Sequence, residues 1–287
     1  ILEFLGIPYI GSDPLTFGLA LDKATAKALV AAYGIPTPKF LKVESPDELS
    51  FNNPSPTGED LSNSLRTQNP YSLNFPLFVK PNCEGSSKGI RDSSKVEDFP
   101  SLLDRVRWIT EVYSQPALVE EFLEGREFSV GILGNEELTV FPILEVRSDH
   151  KMESGEFVYS YETKSRNLER FICPADIPRD LEERIRDIAC GAHRVLGCKD
   201  FSRIDIRLDS EGNPYFLEAN PLPGLSQVSL FPLVASAAGF SFVELVNRIV
   251  SVATKRLENK REAVGIGAEA YGLEMAAIPQ GHRNKRA

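Results

Sequence analysis

The chain has 287 residues, 42% of them hydrophobic and 25% charged, which is enough to build more than one cored unit. A formal net charge of −9 argues against a general polyanion-binding surface, so nucleic acid is not the expected partner, although a local basic cleft for a small anion remains compatible with it. The four cysteines (Cys83, Cys173, Cys190 and Cys198) show no CxxC pairing or metal-ligand spacing, and no apolar run approaches a membrane span or a signal peptide. Reduced thiols in a cytoplasm are the expectation, with no membrane partner.

Residues 1–12 (ILEFLGIPYIGS) read as a helix end, a short strand and a glycine turn, like the tail of an α/β unit. The chain opens at Ile1 with no initiator methionine, so a lost upstream part is expected. From Lys23, the residues Ala26, Leu29, Val30 and Tyr33 follow helical spacing, and Gly34, Pro36 and Pro38 supply the stop. Residues 44–74 are rich in Ser, Asn, Pro and Asp and read as a long loop. Strands are predicted at 75–81, 117–123, 126–134 and 138–146, with a helix through Leu102, Val106 and Ile109 between the first two. A polar segment dotted with aromatics, 147–167, reads as a loop or lid. Leu181, Ile185, Ile188, Ala192, Val195 and Leu196 mark a long amphipathic helix ended by Gly197. Ser241 and Glu244 form a capping box for a last helix, and the polar stretch 258–287 is predicted to be frayed or disordered.

Two stretches carry chemistry. In DFSRIDIRLDSEGNPYFLEAN (200–220), two strands flank a DSEGN turn. Centring the hairpin between Glu211 and Gly212 pairs Asp205 with Glu218 and Arg203 with Asn220, and the period of two puts all four on one face. Asp205, Glu218 and Asn220 then converge as hard oxygen ligands suited to Mg²⁺, with Arg203 beside them to stabilise developing negative charge. A solvent-facing hairpin with a cross-strand ion network is the alternative, but Ile204, Ile206 and Leu208 already supply a buried face, which favours the metal site. In FVKPNCEGSSKGI (78–90), Lys80 at a strand end leads into a loop with Gly85, Ser86, Ser87 and Gly89, whose free N–H groups could wrap a phosphate. It is not GxxxxGK[ST], so a P-loop is excluded, and a plain turn with a surface lysine fits equally well. Glu120, Glu121 and Glu127 in LVEEFLEGREF (118–128) could reach adenine or ribose, but on their own they read as solvated edge charges.

The order GIPYIGS, LALDKATAK, GIPTP, FVKPNCEGSSKGI, LVEEFLEGREFSVGILG, YETK, ICPA, LGCKDFSRIDI and FLEANPLPG resembles the D-alanine–D-alanine ligases of the ATP-grasp superfamily, from Ile1 to about Leu257. The resemblance implies an α+β, ATP-grasp fold whose two α+β subdomains, 13–123 and 124–257, grip ATP between them. Residues 1–12 would be a remnant of an N-terminal α/β domain. It implies ATP and Mg²⁺ (or Mn²⁺) as cofactors, amino acids as small-molecule substrates, a possible homodimer, and ligation of two D-alanines through an acyl phosphate for peptidoglycan. Another carboxylate–amine ligase of the superfamily, or a nucleotide-binding module without catalysis, is the alternative.

Residue by residue, the resemblance assigns phosphate contacts to Lys23, Lys80 and Lys164, and adenine and ribose contacts to Glu120, Glu121, Leu123 and Glu127, with Phe122 at the base. The metal ligands are Asp205, Glu218 and Asn220. Arg203 and the Gly224 N–H are oxyanion stabilisers, Ser229 and Leu230 hold the second substrate's carboxylate, and Glu84, Ser86 and Ser87 belong to the loop over the reaction centre. Three departures from the family pattern stand out. The glutamate that binds the first substrate's ammonium group lies in the N-terminal domain, Ser165 replaces a tyrosine, and Asp200 and Arg207 replace small or apolar residues. Together they are expected to permit a different amino-acid substrate more readily than a different reaction.

Overall fold

The computed structural model describes residues 1–50, 73–148 and 169–264. Two antiparallel sheets organise the chain. The first contains β1 (Phe40–Val43), β2 (Leu77–Pro81), β3 (Lys95–Val96) and β4 (Ala117–Glu121) in the order β1-β4-β2-β3. The second contains β5 (Glu127–Gly134), β7 (Leu144–Ser148), β8 (Glu169–Ile172), β9 (Phe201–Leu208) and β10 (Pro214–Asn220) in the order β10-β9-β5-β7-β8, with β6 (Leu138–Val140) paired to β5. The predicted strand at 138–146 is therefore two strands. Pro142 lies in the break between them and has no N–H to give a ladder.

Helices cover these sheets where the sequence supplies apolar stripes. Between β3 and β4 runs α4 (Phe99–Tyr113), capped by Asp98, whose carboxylate accepts from Ser101 N at 2.9 Å. Its Leu102, Val106 and Ile109 are fully buried against Leu77, Val79 and Val119 of the first sheet. The helix α5 (Arg179–Val195) begins with Asp180 and Glu182 and has Arg194 in its last turn, matching its dipole. It buries Leu181, Ile185, Ile188 and Ala192 against Ile204, Ile206 and Phe216 on one face of the second sheet. The opposite face is covered at one end by α6 (Leu230–Ala237) and α7 (Phe242–Val264), where Phe231, Val234, Leu245 and Ile249 meet Phe141 and Phe201. The short α3 spans Asp47–Ser50.

Other expectations change as well. Residues 1–12 contain neither helix nor strand. The helices α1 (Pro14–Leu21) and α2 (Lys23–Ala32), assigned by sequence to the first unit, place Ala20, Ala26 and Val30 in the core of the second sheet, so packing puts them with that sheet. Tyr33 does not join the α2 stripe; it caps the helix and is 70% exposed. The last helix runs to Val264, past the predicted fraying point at 258, because residues 255–264 keep good helix formers with no Gly or Pro. Residues 51–72, most of the 147–167 lid and 265–287 lie outside the described residues. Among the described residues no single helix is long and apolar enough to cross a membrane; the bent pair α6 and α7 passes that test together, but much of its apolar surface is core.

Candidate active site

The hairpin of β9 and β10 pairs Glu218 with Asp205 and Asn220 with Arg203, as the sequence predicted. The route is different, however. Near the turn Tyr215 opposes Arg207 and Phe216 opposes Ile206, one residue out of the predicted register, and an irregularity between Phe216 and Glu218 restores it. This bulge at Leu217 aims Glu218 and Asn220 onto the face of Asp205 while Phe216 and Ala219 stay in the core.

Asp205 is the most heavily bonded of the four. Its Oδ1 accepts from Ser129 Oγ at 2.5 Å and Arg203 Nε at 3.0 Å, and its Oδ2 from Arg203 Nη2 at 2.8 Å and Asn220 Nδ2 at 3.1 Å. Ser129 stands directly opposite on β5. Burial pushes the Glu218 carboxyl up, but the charges of Lys23, Lys80 and Arg203 outweigh it and hold the group below its usual range. Lys23 Nζ lies 3.6 Å from Glu218 Oε2 and also donates to the Glu84 carbonyl.

Lys23 is placed by Asn82, fully buried after β2. The Asn82 side chain accepts from Ala24 N at 2.9 Å and its carbonyl from Lys23 N at 3.1 Å, so the start of α2 is pinned to the loop after Lys80. That loop, residues 82–91, holds Ser86 and Ser87 at φ 57° and 58°, a left-handed conformation that costs about 1–3 kcal/mol per non-glycine residue. Gly89, at φ 74°, lies so close to Pro81 that a Cβ would sit 2.4 Å from its Cγ.

Glu120 and Glu127 are not solvated edge charges. Glu120 is 2% exposed, 2.6 Å from Lys80 Nζ and 3.1 Å from Lys27 Nζ. Burial raises its carboxyl, and the two ammonium groups more than reverse that, so it stays below the ordinary range. Burial raises Glu127 despite Arg207, whose Nη1 donates to its Oε2 at 3.2 Å.

The four hairpin side chains, with Lys23, Lys80, Glu120 and Glu127, line one cavity of about 480 Å³ between the two sheets. Lys80, Glu120, Glu121, Phe122 and Leu123 come from the first sheet and its edge, and Glu127, Arg203, Asp205, Glu218 and Asn220 from the second. Lys23 reaches it from α2, Glu84, Ser86 and Ser87 from the loop after β2, and Gly224, Ser229 and Leu230 from the turn into α6. At Gly224 an added Cβ would lie 2.7 Å from Ser229 Oγ, so a side chain there would press on Ser229. Every proposed site residue is therefore gathered here except Lys164, which, like Ser165, lies outside the described residues. Phe78, Ser129 and Arg207 also line it and were not singled out as site residues; strand alternation from Glu127 to Ser129 and from Asp205 to Arg207 carried that signal.

The departures fall in different places. Asp200 does not line the cavity; fully buried at φ 65°, it accepts from Gly11 N and Asn135 and pairs with Arg256 of α7 at 2.8 Å, joining the N-terminal segment to the last helix. Arg207 lines the cavity, pairs with Glu127 at 3.2 Å and lies 5.3 Å from the Phe122 ring centroid, so it meets residues assigned to the nucleotide.

Among the described residues no group of three or more His, Cys, Asp or Glu side chains is poised around a metal. The donor set here is instead two carboxylates and one amide, which suits Mg²⁺ because that ion takes few protein ligands and fills its shell with water and phosphate oxygen. The residues present fit such an ion.

Two sheets with a mixed-charge cleft between them, Lys80 on the first and a carboxylate hairpin with Lys23 beside it on the second, define an ATP-grasp protein. The model of the D-ala D-ala ligase C-terminus matches residues 29–251. The chain belongs to the D-alanine–D-alanine ligase family and is an ATP-dependent ligase. It is 34% identical over 262 residues to the D-alanine–D-alanine ligase of Pelotomaculum thermopropionicum, covering 91% of this chain and 76% of the relative. An uncharacterized protein, y4sG of Sinorhizobium fredii, is 36% identical over 257 residues, 89% of this chain and 69% of that one. The crystal structure of D-alanine–D-alanine ligase from Bacillus anthracis complexed with ATP superposes with a TM-score of 0.67 at 25% identity, covering 90% of this chain and 74% of the other.

Proposed function

We propose that this chain joins two D-alanines at the expense of ATP, in the cytoplasm, for peptidoglycan synthesis. The observation that carries the reading is one cleft in which the hairpin set Arg203, Asp205, Glu218 and Asn220 meets Lys23, 3.6 Å from Glu218, and Lys80 of the first sheet. A carboxylate and a triphosphate repel each other, and this arrangement supplies cations on both walls and hard ligands between them.

In this reading Lys23, Lys80 and Lys164 bind phosphates, Glu120, Glu121, Leu123 and Glu127 hold adenine and ribose, and Phe122 packs beneath the base. Asp205, Glu218 and Asn220 would hold Mg²⁺, which neutralises phosphate charge when bound. The first D-alanine carboxylate is phosphorylated to an acyl phosphate, and the amine of the second attacks it. Arg203 and the Gly224 N–H donate to the oxyanion of the tetrahedral intermediate, Ser229 and Leu230 seat the second carboxylate, and the Glu84, Ser86 and Ser87 loop covers the centre. Residues 13–123 and 124–257 are read as the two gripping subdomains, with α1 and α2 of the first packed on the second, and the working unit as a homodimer.

The test is phosphate release from ATP with a panel of amino acids. Release that requires both Mg²⁺ and D-alanine, and yields a D-alanine dipeptide, is expected. Release driven by another amino acid and not by D-alanine would reassign the substrate; ATP binding with no amino-acid-stimulated turnover would leave a nucleotide-binding module.

A further inference from the structure

The nucleotide end of the cleft contains a charge pair that this reading has not used. Arg207 stands directly across the β5–β9 ladder from Glu127, and the two side chains, 8% and 12% exposed, meet at 3.2 Å. The Arg207 guanidinium carbon also lies 5.3 Å from the Phe122 ring centroid. One planar cation therefore touches both the carboxylate assigned to the ribose and the ring assigned to the floor beneath the base.

We propose that Arg207 is a nucleotide-positioning residue that holds the Glu127 carboxylate in the orientation needed to accept both ribose hydroxyls, and thereby sets the preference for a ribonucleotide over a deoxyribonucleotide. It rests on the nucleotide reading of the cleft.

A glutamate side chain left to itself loses rotamer freedom when it accepts two hydroxyls, and that loss opposes binding. Arg207 removes the freedom beforehand. Its fork is rigid where a lysine would be a flexible point charge, and its face lies over Phe122, so the pair is fixed at both ends. Two residues along the same ladder, on the same face, the device repeats: Ser129, directly opposite Asp205, donates to its Oδ1 at 2.5 Å. A strand position that alternates with Arg203 and Asp205 thus places a third functional group on the cleft face.

The inference is tested by titration calorimetry of the full chain with Mg²⁺ and either ADP or 2′-deoxyADP. The wild type is expected to prefer ADP by about tenfold, the scale of one hydrogen bond to a charged group. Arg207→Met should weaken ADP by a similar factor and bring the two nucleotides within about twofold. Glu127→Gln should lose the same preference, and the double variant should lose no more than either single one. Should Arg207→Met fail to fold, Arg207→Gln, which keeps length without charge, is read in the same way. A variant that binds more weakly but keeps the wild-type ADP preference would show that Arg207 merely joins the strands, and would overturn the proposal. Wild-type protein that binds neither nucleotide would instead overturn the nucleotide reading itself.

Discussion

Lys27 Nζ lies 3.1 Å from Glu120 Oε2, and both side chains are almost wholly removed from solvent. Burial pushes the Lys27 ammonium down to about 8, so it is still charged at neutral pH. It donates to Thr37 Oγ1 at 3.0 Å and the Phe216 carbonyl at 3.3 Å, and through Glu120 it stands behind Lys80 of the cleft. Lys27→Met should cost about 2 kcal/mol in urea unfolding, below the ~3–5 kcal/mol of a buried charge left alone, because Lys80 still partners Glu120. Adding Glu120→Gln should recover part of that loss. A single variant as stable as wild type would show that the buried pair contributes nothing.

Gly89 holds the serine loop against Pro81. Gly89→Ala asks a residue at φ 74° to carry a Cβ 2.4 Å from Pro81 Cγ and 3.2 Å from Tyr113, and Pro81 is itself buried in β2. The variant should lose about 1–3 kcal/mol and move the loop. ATP affinity is expected to fall with it, read by nucleotide titration; unchanged affinity in a folded variant would separate the loop from the phosphates.

Glu218→Gln keeps the shape of the side chain and removes its charge. Turnover with Mg²⁺ should fall on the order of a hundredfold or more while the melting temperature moves little, since Glu218 belongs to the cleft and not to an apolar cluster. Equal loss of fold and activity would count against its role as a ligand.

How far the sequence could be read depended on what each signal encodes. The alternation of Ile204, Ile206 and Leu208 with Arg203, Asp205 and Arg207 encodes a two-faced strand, so the hairpin was legible. The bulge at Leu217 was not, because nothing in FLEAN marks an extra residue; the predicted pairs at the site hold because the bulge offsets a one-residue error at the turn. The burial of Glu120 was hidden for a related reason. Its partner Lys27 lies on a helix and Lys80 on another strand, and only tertiary packing brings two ammonium groups to one carboxylate. Asp200 looked like a clue to substrate but serves a clasp to Arg256, 56 residues away.

His193 gives the fold a pH dependence. It is 1% exposed, with Nδ1 2.7 Å from Ser202 Oγ, and burial, with Arg194 nearby, pushes its imidazole from 6.5 down to about 4. Between those values the unfolded chain binds the proton and the folded chain does not. The contribution is therefore present above about pH 6.5 and is lost as pH falls toward 4, by roughly 3 kcal/mol. Chemical denaturation across that window should show the loss, and His193→Gln should flatten it. A wild-type slope that persists in the variant would assign it to the carboxylates.

The most direct measurement is a crystal structure with Mn²⁺ and ADP, recorded for anomalous scattering at the manganese edge. A peak bonded to Asp205, Glu218 and a nucleotide phosphate oxygen, with Lys23 and Lys80 on the phosphates, is the predicted result. Manganese bound elsewhere, or nucleotide outside the cleft between the two sheets, would contradict it.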